Sequence, residues 1–337
     1  MKSDRHGETP VIGMRTQPSK MLLAAVAAAV VLLPMPVVLA PYPLIVLCYA
    51  LVFAIACMGL NLLLGTAGLL SLGHATFFGI AAYAGAFLYR FTPVNSFELY
   101  LIFGLSVSAL LAAVIGFLCL RATRIHFTIL TLAFCQIVYS LFIDGFVFRP
   151  FGGEGRAIYY LSGGGMYIPR LTLLGIEFGP GAFIPAFYNV IVVFFLAAAA
   201  FLWWIDRSPF GLALRAIRDN AERAQGVGIP VRRYRWYAFV ISGLLVGLAG
   251  ALYGQLGRQI TPEQLHWLFS AKLILATVLG GLRHFLGPLL GAFGFVALED
   301  VALSWTAYHN LVLGVLLIIV VFAFPSGLAG GAMALVN

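Results

Sequence analysis

The feature that most constrains this chain is the recurrence of apolar runs about as long as a bilayer is thick, separated by short polar turns. A helix rises about 1.5 Å per residue, so roughly 17–25 apolar residues are needed to cross the roughly 30 Å hydrocarbon layer. Such runs stand at about 21–40, 44–64, 70–89, 99–120, 125–146, 185–205, 237–257, 269–282, 288–305 and 309–325. The eighth is short, a candidate for a broken or half-crossing helix. Only 9% of the 337 residues are charged, against about 25% in soluble domains, too few to cover water-facing surfaces. Cys48, Cys57, Cys119 and Cys135 lie inside apolar runs, which excludes a secreted disulfide scaffold. The expectation is an all-α polytopic membrane protein of about ten transmembrane helices. A single membrane domain at 21–330 lies between tails at 1–20 and 331–337.

The formal net charge of +8 is distributed as a topology signal rather than as a nucleic-acid surface. Basic residues flanking spans are retained on the cytoplasmic side during insertion. With the N-terminus inside, fourteen of the twenty basic residues fall on internal segments and five on external ones, leaving Lys272 within a span. Both termini are therefore expected in the cytoplasm. The first run is too long for a typical signal-peptide core, and its small-residue site at Ala40 is followed by Pro41, so it reads as an uncleaved anchor. The external segment 147–184 is glycine-rich. It reads equally as a flexible connector or as a docking surface or lid.

The cytoplasmic segment 206–236 has a clearer pattern. Ser208 is a suitable N-cap, and Pro209 fits the first helical position without removing a needed donor. Phe210, Leu214, Ile217, Ala221 and Ala224 recur at steps of four, three, four and three, which places them on one helix face. Arg215, Arg218, Asp219, Glu222 and Arg223 fall elsewhere, with Asp219 and Arg223 one turn apart and able to pair. Gly226, Gly228 and Pro230 stop the helix. The prediction is one amphipathic helix about 24 Å long.

Catalytic and phosphate-binding patterns are absent from the sequence. No lysine sits in a Walker A loop, the six histidines lack ligand spacing, and there is no G-x-S-x-G elbow. The glycines do have a pattern. Gly243, Gly247, Gly250, Gly254 and Gly257 form a stripe in the seventh run, and Gly287, Gly291 and Gly294 repeat it in the ninth. Small residues let helices approach closely in lipid, so packing is the expected role. Asn61, His74, Gln136, Lys272, Glu299 and Asp300 are polar residues at or near membrane depth, where such groups mark pathways or join helices. Asn61, Ser71, His74 and Phe77 are the candidate pathway positions, with helix–helix hydrogen bonding the plainer alternative for Asn61 and His74. Lys272 can snorkel, and Glu299 and Asp300 are expected near the external interface.

The stretch Gly59-Leu60-Asn61-Leu62-Leu63-Leu64-Gly65, followed by Gly68-Leu69-Leu70-Ser71-Leu72-Gly73-His74-Ala75-Thr76-Phe77-Phe78-Gly79-Ile80, resembles permeases of branched-chain amino acid ABC importers. The pattern S-L-G-H-A-x-F-F-G is similar to the LivM-type branch rather than its LivH-type partner. Ser208-Pro209-Phe210-Gly211 with Ala213 to Asn220, Ala249 to Tyr253, Leu279-Gly280-Gly281-Leu282 and Pro325-Ser326-Gly327-Leu328 carry the likeness along most of the chain.

The resemblance implies a permease in the bacterial inner membrane that moves branched-chain amino acids or a related small polar solute. It implies a second, LivH-like permease subunit, two cytoplasmic ATPase subunits that bind the ATP, and a periplasmic solute-binding protein. No cofactor, metal or catalytic residue is implied in this chain. Phe210, Leu214, Arg215, Ile217, Arg218, Asp219, Asn220, Ala221, Glu222, Ala224 and Gly226 would form the contact with an ATPase, the apolar face in its groove. The alternative is an ion-coupled secondary transporter, for which Lys272 and the short eighth run speak.

Overall fold

The computed structural model describes residues 29–92, 95–122, 124–151, 163–173, 175–179, 181–282 and 284–305, with 308, 311, 312, 314, 315, 318 and 327–330 beyond them. A short apolar helix, Ala29–Val38, is interrupted by a turn at Leu33 and Pro34. It is followed by α1 (Pro41–Asn61), α2 (His74–Phe91), α3 (Phe97–Cys119) and α4 (Arg124–Ile143). A two-residue strand β1 (Met166–Tyr167) precedes α5 (Phe183–Arg207), α6 (Pro209–Asp219), α7 (Ala221–Gly226) and α8 (Val231–Gly257). Strand β2 (Gln259–Ile260), α9 (Trp267–Gly280) and α10 (Gly287–Trp305) follow.

The chain is a polytopic helical membrane protein. Six segments are long and apolar enough to span: Pro41–Thr66, Phe97–Cys119, Ile125–Ile143, Phe183–Arg207, Val231–Gly257 and Gly287–Trp305. Helix α2, the third of the expected runs, is not among them although it is 18 residues long. It carries His74, Thr76, Tyr83 and Arg90 and is buried over most of its length. A helix wrapped by protein need not match lipid in polarity. Helix α9 has 14 residues, about 21 Å at the usual rise, and falls short of the hydrocarbon thickness. Most of the tenth expected run and much of the first lie outside the described residues.

Helix α8 is the hub, packed against α1, α2 and α3, while α9 and α10 pair and lean on α1, and α5 packs on α1 as well. The glycine stripe makes this closeness possible. A Cβ at Gly243 would lie 2.7 Å from Ala112 Cβ, at Gly247 2.4 Å from Ser108 Oγ, and at Gly250 1.8 Å from the Phe78 carbonyl oxygen. At Gly254 it would meet Tyr100, Ala82 and Ile168, and at Gly257 it would lie 3.3 Å from the Tyr49 hydroxyl. The stripe thus serves three neighbours, α2 and α3 along most of its length and α1 at Gly257. Gly280, Gly287 and Gly291 bring α9 and α10 together in the same way, a Cβ at Gly291 falling 2.0 Å from the Ala276 oxygen.

The segment at 163–173 is not a loose connector. Strand β1 pairs antiparallel with β2, Met166 opposite Ile260, and Met166, Ile168 and Leu171 are buried. The Tyr83 hydroxyl donates to the Gly164 carbonyl at 2.9 Å, and Gln255 Nε2 donates to the Pro169 carbonyl at 3.1 Å. Residues 152–162 lie outside the described residues.

Gly250→Leu forces four carbons into the Phe78 backbone, and overpacking of this kind costs about 1–3 kcal/mol or more. The thermal unfolding midpoint in detergent and the yield of folded protein should fall. Gly226→Ala, whose Cβ meets nothing within 4 Å, should leave both unchanged; an unchanged midpoint for Gly250→Leu would refute the close approach.

Candidate functional site

Three features gather the residues singled out in the sequence: a break between α1 and α2, the α6–α7 pair, and a cavity at the opposite end of the bundle.

At the break, α1 runs into a π-helical turn at Leu62–Thr66 and then an irregular stretch to Gly73. Single π turns inside α-helices are frequent at functional sites. Gly68 has φ +70, a conformation that disfavours a side chain. Asn61 Oδ1 is buried at this break and meets no donor. The freed backbone is met by side chains of α4: Thr131 Oγ1 accepts from Leu72 N at 3.3 Å, and Thr128 Oγ1 donates to the Leu70 carbonyl at 2.8 Å.

Just past the break, His74 joins α1, α2 and α8. Ser242 Oγ donates to the Gly59 carbonyl at 2.7 Å, so it accepts from His74 Nε2 at 2.8 Å. Nδ1, left as the acceptor, receives the Ser71 hydroxyl at 3.1 Å. Ser71 Oγ in turn accepts from Gly73 N at 3.3 Å. Every polar atom of the neutral imidazole is satisfied. Phe77 and Phe239 meet the imidazole edge-on, at 5.5 and 5.8 Å between centroids. Ser71, His74 and Phe77 are fully buried, so this geometry joins helices and leaves them off any open wall.

The segment after α5 departs from the single expected helix. Ser208 caps α6, accepting from Gly211 N at 3.3 Å. Asn220 leaves the helical region and caps α7, accepting from Arg223 N at 2.9 Å. Asparagine competes for backbone donors in this way and favours caps over helix interiors. Two helices therefore replace one. Leu214, Ile217 and Ala224 are buried, α6 packs on α5, α8 and the π turn, and Phe210 stacks on Tyr234 at 5.4 Å. The apolar face expected in a partner's groove is covered by this chain itself.

The charges are redistributed too. Arg215 pairs with Asp206 and donates to its carbonyl at 2.8 Å. Asp219 pairs with Arg218 at 3.2 Å rather than with Arg223. Arg218 Nη1 reaches the π turn and donates to the Gly65 carbonyl at 2.7 Å. Its aliphatic stem fills the space beside Gly68, where a Cβ would lie 2.6 Å from Arg218 Cγ. Leu212, Ala216, Asp219, Asn220, Glu222, Arg223, Gln225, Gly226, Val227 and Gly228 are exposed, while Ala221 is half-buried.

The cavity, of about 1020 Å³ and open on one side, lies among α1, α9, α10 and the turn at Pro262–Leu265. Tyr49, Phe53, Phe78, Tyr253 and Phe269 form much of its wall. At its edge Lys272 Nζ meets Glu299 Oε1 at 2.6 Å, and the Tyr42 hydroxyl donates to Asp300 at 2.5 Å. Neither pairing is legible in one sequence, because the partners are 27 and 258 residues apart. The only available signal was that each is a polar or ionisable group near membrane depth. Among the described residues, no three His, Cys, Asp or Glu side chains gather as a metal site.

Comparison with known proteins places this arrangement. The family described as Branched-chain amino acid transport system / permease component matches residues 42–321. The high-affinity branched-chain amino acid transport system permease protein LivM of Escherichia coli is 26% identical over 339 residues, covering 95% of this chain and 77% of that protein. A probable branched-chain amino acid transport permease protein LivH of Methanocaldococcus jannaschii is 35% identical over 107 residues, 32% of this chain and 33% of that one. The autoinducer 2 import system permease protein LsrC of Klebsiella pneumoniae is 34% identical over 127 residues, 35% and 36% of the two chains. No solved structure matches. With its matched region running from the start of α1 through α10, the chain belongs to the branched-chain amino acid transport permease family.

Proposed function

We propose that this chain is one permease subunit of an ATP-binding-cassette importer in a bacterial inner membrane. Its cargo is a branched-chain amino acid or a related small polar solute. The observation that carries the reading is the family match over residues 42–321, joined to likeness to a LivM permease along 95% of the chain. The partners are a second, LivH-like permease, two cytoplasmic ATPase subunits and a periplasmic solute-binding protein. ATP binds to the ATPases, since this sequence carries no phosphate-binding loop of its own. A secondary transporter has one observation in its favour, the Lys272–Glu299 pair near membrane depth. Proteoliposomes decide between them. L-leucine uptake should require ATP, the partner permease and the loaded binding protein; uptake by this chain alone on an ion gradient would overturn the reading.

About ten membrane segments, with α9 shorter than the hydrocarbon layer, and both termini cytoplasmic are the proposed topology. Arg121, the α6–α8 arginines and the π turn share one end of the bundle, where Arg121 and Arg232 lie over Phe117 and Arg207 over Trp203. At the other end, Arg258 adjoins the β1–β2 pair and lies over Tyr167, Arg170 lies over Phe183 and Arg149 over Phe146. The more basic end is assigned to the cytoplasm. Glu177→Cys should react with an impermeant maleimide in intact spheroplasts, and Gln225→Cys should not. The reverse pattern would invert the topology.

Coupling to ATP is assigned to α6 and α7 with a division of labour. Arg223, Glu222 and Val227 face outward and would meet the ATPase, whereas Arg218 ties α6 to the π turn. Arg223→Glu should weaken ATPase co-purification without lowering the unfolding midpoint, through like-charge repulsion at the contact. Arg218→Gln removes a charge-assisted bond worth about 1.5–3 kcal/mol. It should leave the ATPase bound and hydrolysing while uptake falls by roughly tenfold or more. Normal uptake in both variants would reduce the segment to an ordinary loop.

A further inference from the structure

We infer that the cavity beside Lys272 and Glu299 is this chain's share of the transport path and receives an apolar zwitterionic α-amino acid. The inference rests on the importer reading above and adds the site and its chemistry. An ionisable pair on the helices of a membrane bundle is a functional candidate, the more so where it lines a cavity. This one is not sealed between helices. Lys272 and Glu299 keep 37% and 28% of their side-chain surface exposed, and both line the cavity.

The charges on the wall are of both signs. Lys272 offers an ammonium to a carboxylate, while Glu299 and Asp300, one residue apart on α10, and Glu263 offer carboxylates to an ammonium. A simple anion or a polyamine would answer only one of these. A zwitterion answers both, exchanging one internal ion pair for two to the ligand. The rest of the wall suits the side chain of such a molecule: Phe78 and Phe269 lie 4.5 Å apart, and Phe53 stacks on Phe295 at 5.4 Å. The volume of about 1020 Å³ lies at the top of the range of about 300–1,000 Å³ for small-molecule sites. Helix α9, which supplies Lys272, is shorter than the hydrocarbon layer is thick. A phosphatidylethanolamine headgroup is also a zwitterion with a primary ammonium, and the experiment separates it from a free amino acid.

The test uses the assembled importer in proteoliposomes with L-leucine-loaded binding protein. If the wild-type assembly moves no L-leucine with ATP, the cargo assignment fails and with it the premise of the site. Given wild-type uptake, Lys272→Met, Glu299→Gln and the double variant should each lower it by about tenfold or more at saturating binding protein, with the ATPases still bound. A structural brace behaves differently, because replacing both charges of a pair is often neutral for folding. Recovery of uptake in the double variant, or normal uptake in the single variants, would overturn the inference.

Should those variants fail to assemble, Leu275→Cys gives a second measurement. Leu275 lines the cavity and is 42% exposed, and the four native cysteines are buried. Its labelling by a thiol reagent should slow when L-leucine-loaded binding protein and ATP are added together. Labelling indifferent to them, or slowed only by added phosphatidylethanolamine, would also overturn the assignment.

Discussion

Lipid does not push one apolar helix onto another, so this bundle depends on how closely its backbones can approach. Helix α8 solves the problem with glycines that face α3, α2 and α1, leaving no room for a Cβ against Ser108 or the Phe78 carbonyl. Dispersion then acts between main chains over the length of the helix. The α9–α10 pair repeats the solution at Gly280, Gly287 and Gly291. Hydrogen bonds such as Trp236 Nε1 to the Ala113 carbonyl at 2.9 Å fasten α8 to α3 where the glycine stripe has ended.

Close packing also sets the terms for irregular backbone. Away from water, a carbonyl or amide outside a helix has to find a partner in the protein. Between α1 and α2 those partners are side chains: Thr131 for Leu72 N, Thr128 for the Leu70 carbonyl and Arg218 for the Gly65 carbonyl. The first two come from α4 and the third from α6, so the break is held jointly by a membrane helix and by the segment assigned to coupling. The His74 network beside it is closed and fully buried. Its polar groups anchor three helices, and any opening there would leave several of them unpaired at once.

How much of this was legible in the sequence follows from which interactions are local. Apolar run length gave the long helices, and the four-three spacing gave the glycine stripe and the buried positions Leu214, Ile217 and Ala224. The Ser208 cap and Pro209 were readable because capping depends on adjacent residues. The same spacing could not reveal what lies over an apolar face, which is why α6 was expected against a partner and is found on its own chain. Asn220 is not legible as a cap in the sequence, because its capping oxygen competes with a periodicity that continues past it to Ala224. Polarity and hydrogen-bonding potential single out Asn61, Ser71 and His74, but only the fold shows that Ser71 and His74 are fully buried in a helix-joining network while Asn61 is half-buried. Lys272 and Glu299 carried the opposite signal, each dismissible alone and informative only once α9 and α10 place them 2.6 Å apart.

Helix α1 connects the two ends of the argument. Its first turn holds Tyr42, bonded to Asp300 at the cavity edge, and its last residue, Asn61, leads into the π turn that Arg218 grips. Its 21 residues span about 32 Å at the usual rise, and α5, α8 and α10 pack along it. A helix so enclosed moves as a body rather than bending, because close-packed interfaces shift between discrete arrangements instead of deforming smoothly. Under the importer reading, a displacement of α6 therefore acts on the cavity wall by two routes. One is direct, through Arg218, the π turn and α1. The other runs through α8, against which α6 also packs and whose Tyr253 lines the same cavity. The π turn is the least regular link in the first route, and Arg218 is the side chain that bridges it to α6. That makes the Gly65 carbonyl, under the coupling proposed for α6, the point at which a change in that segment would reach α1.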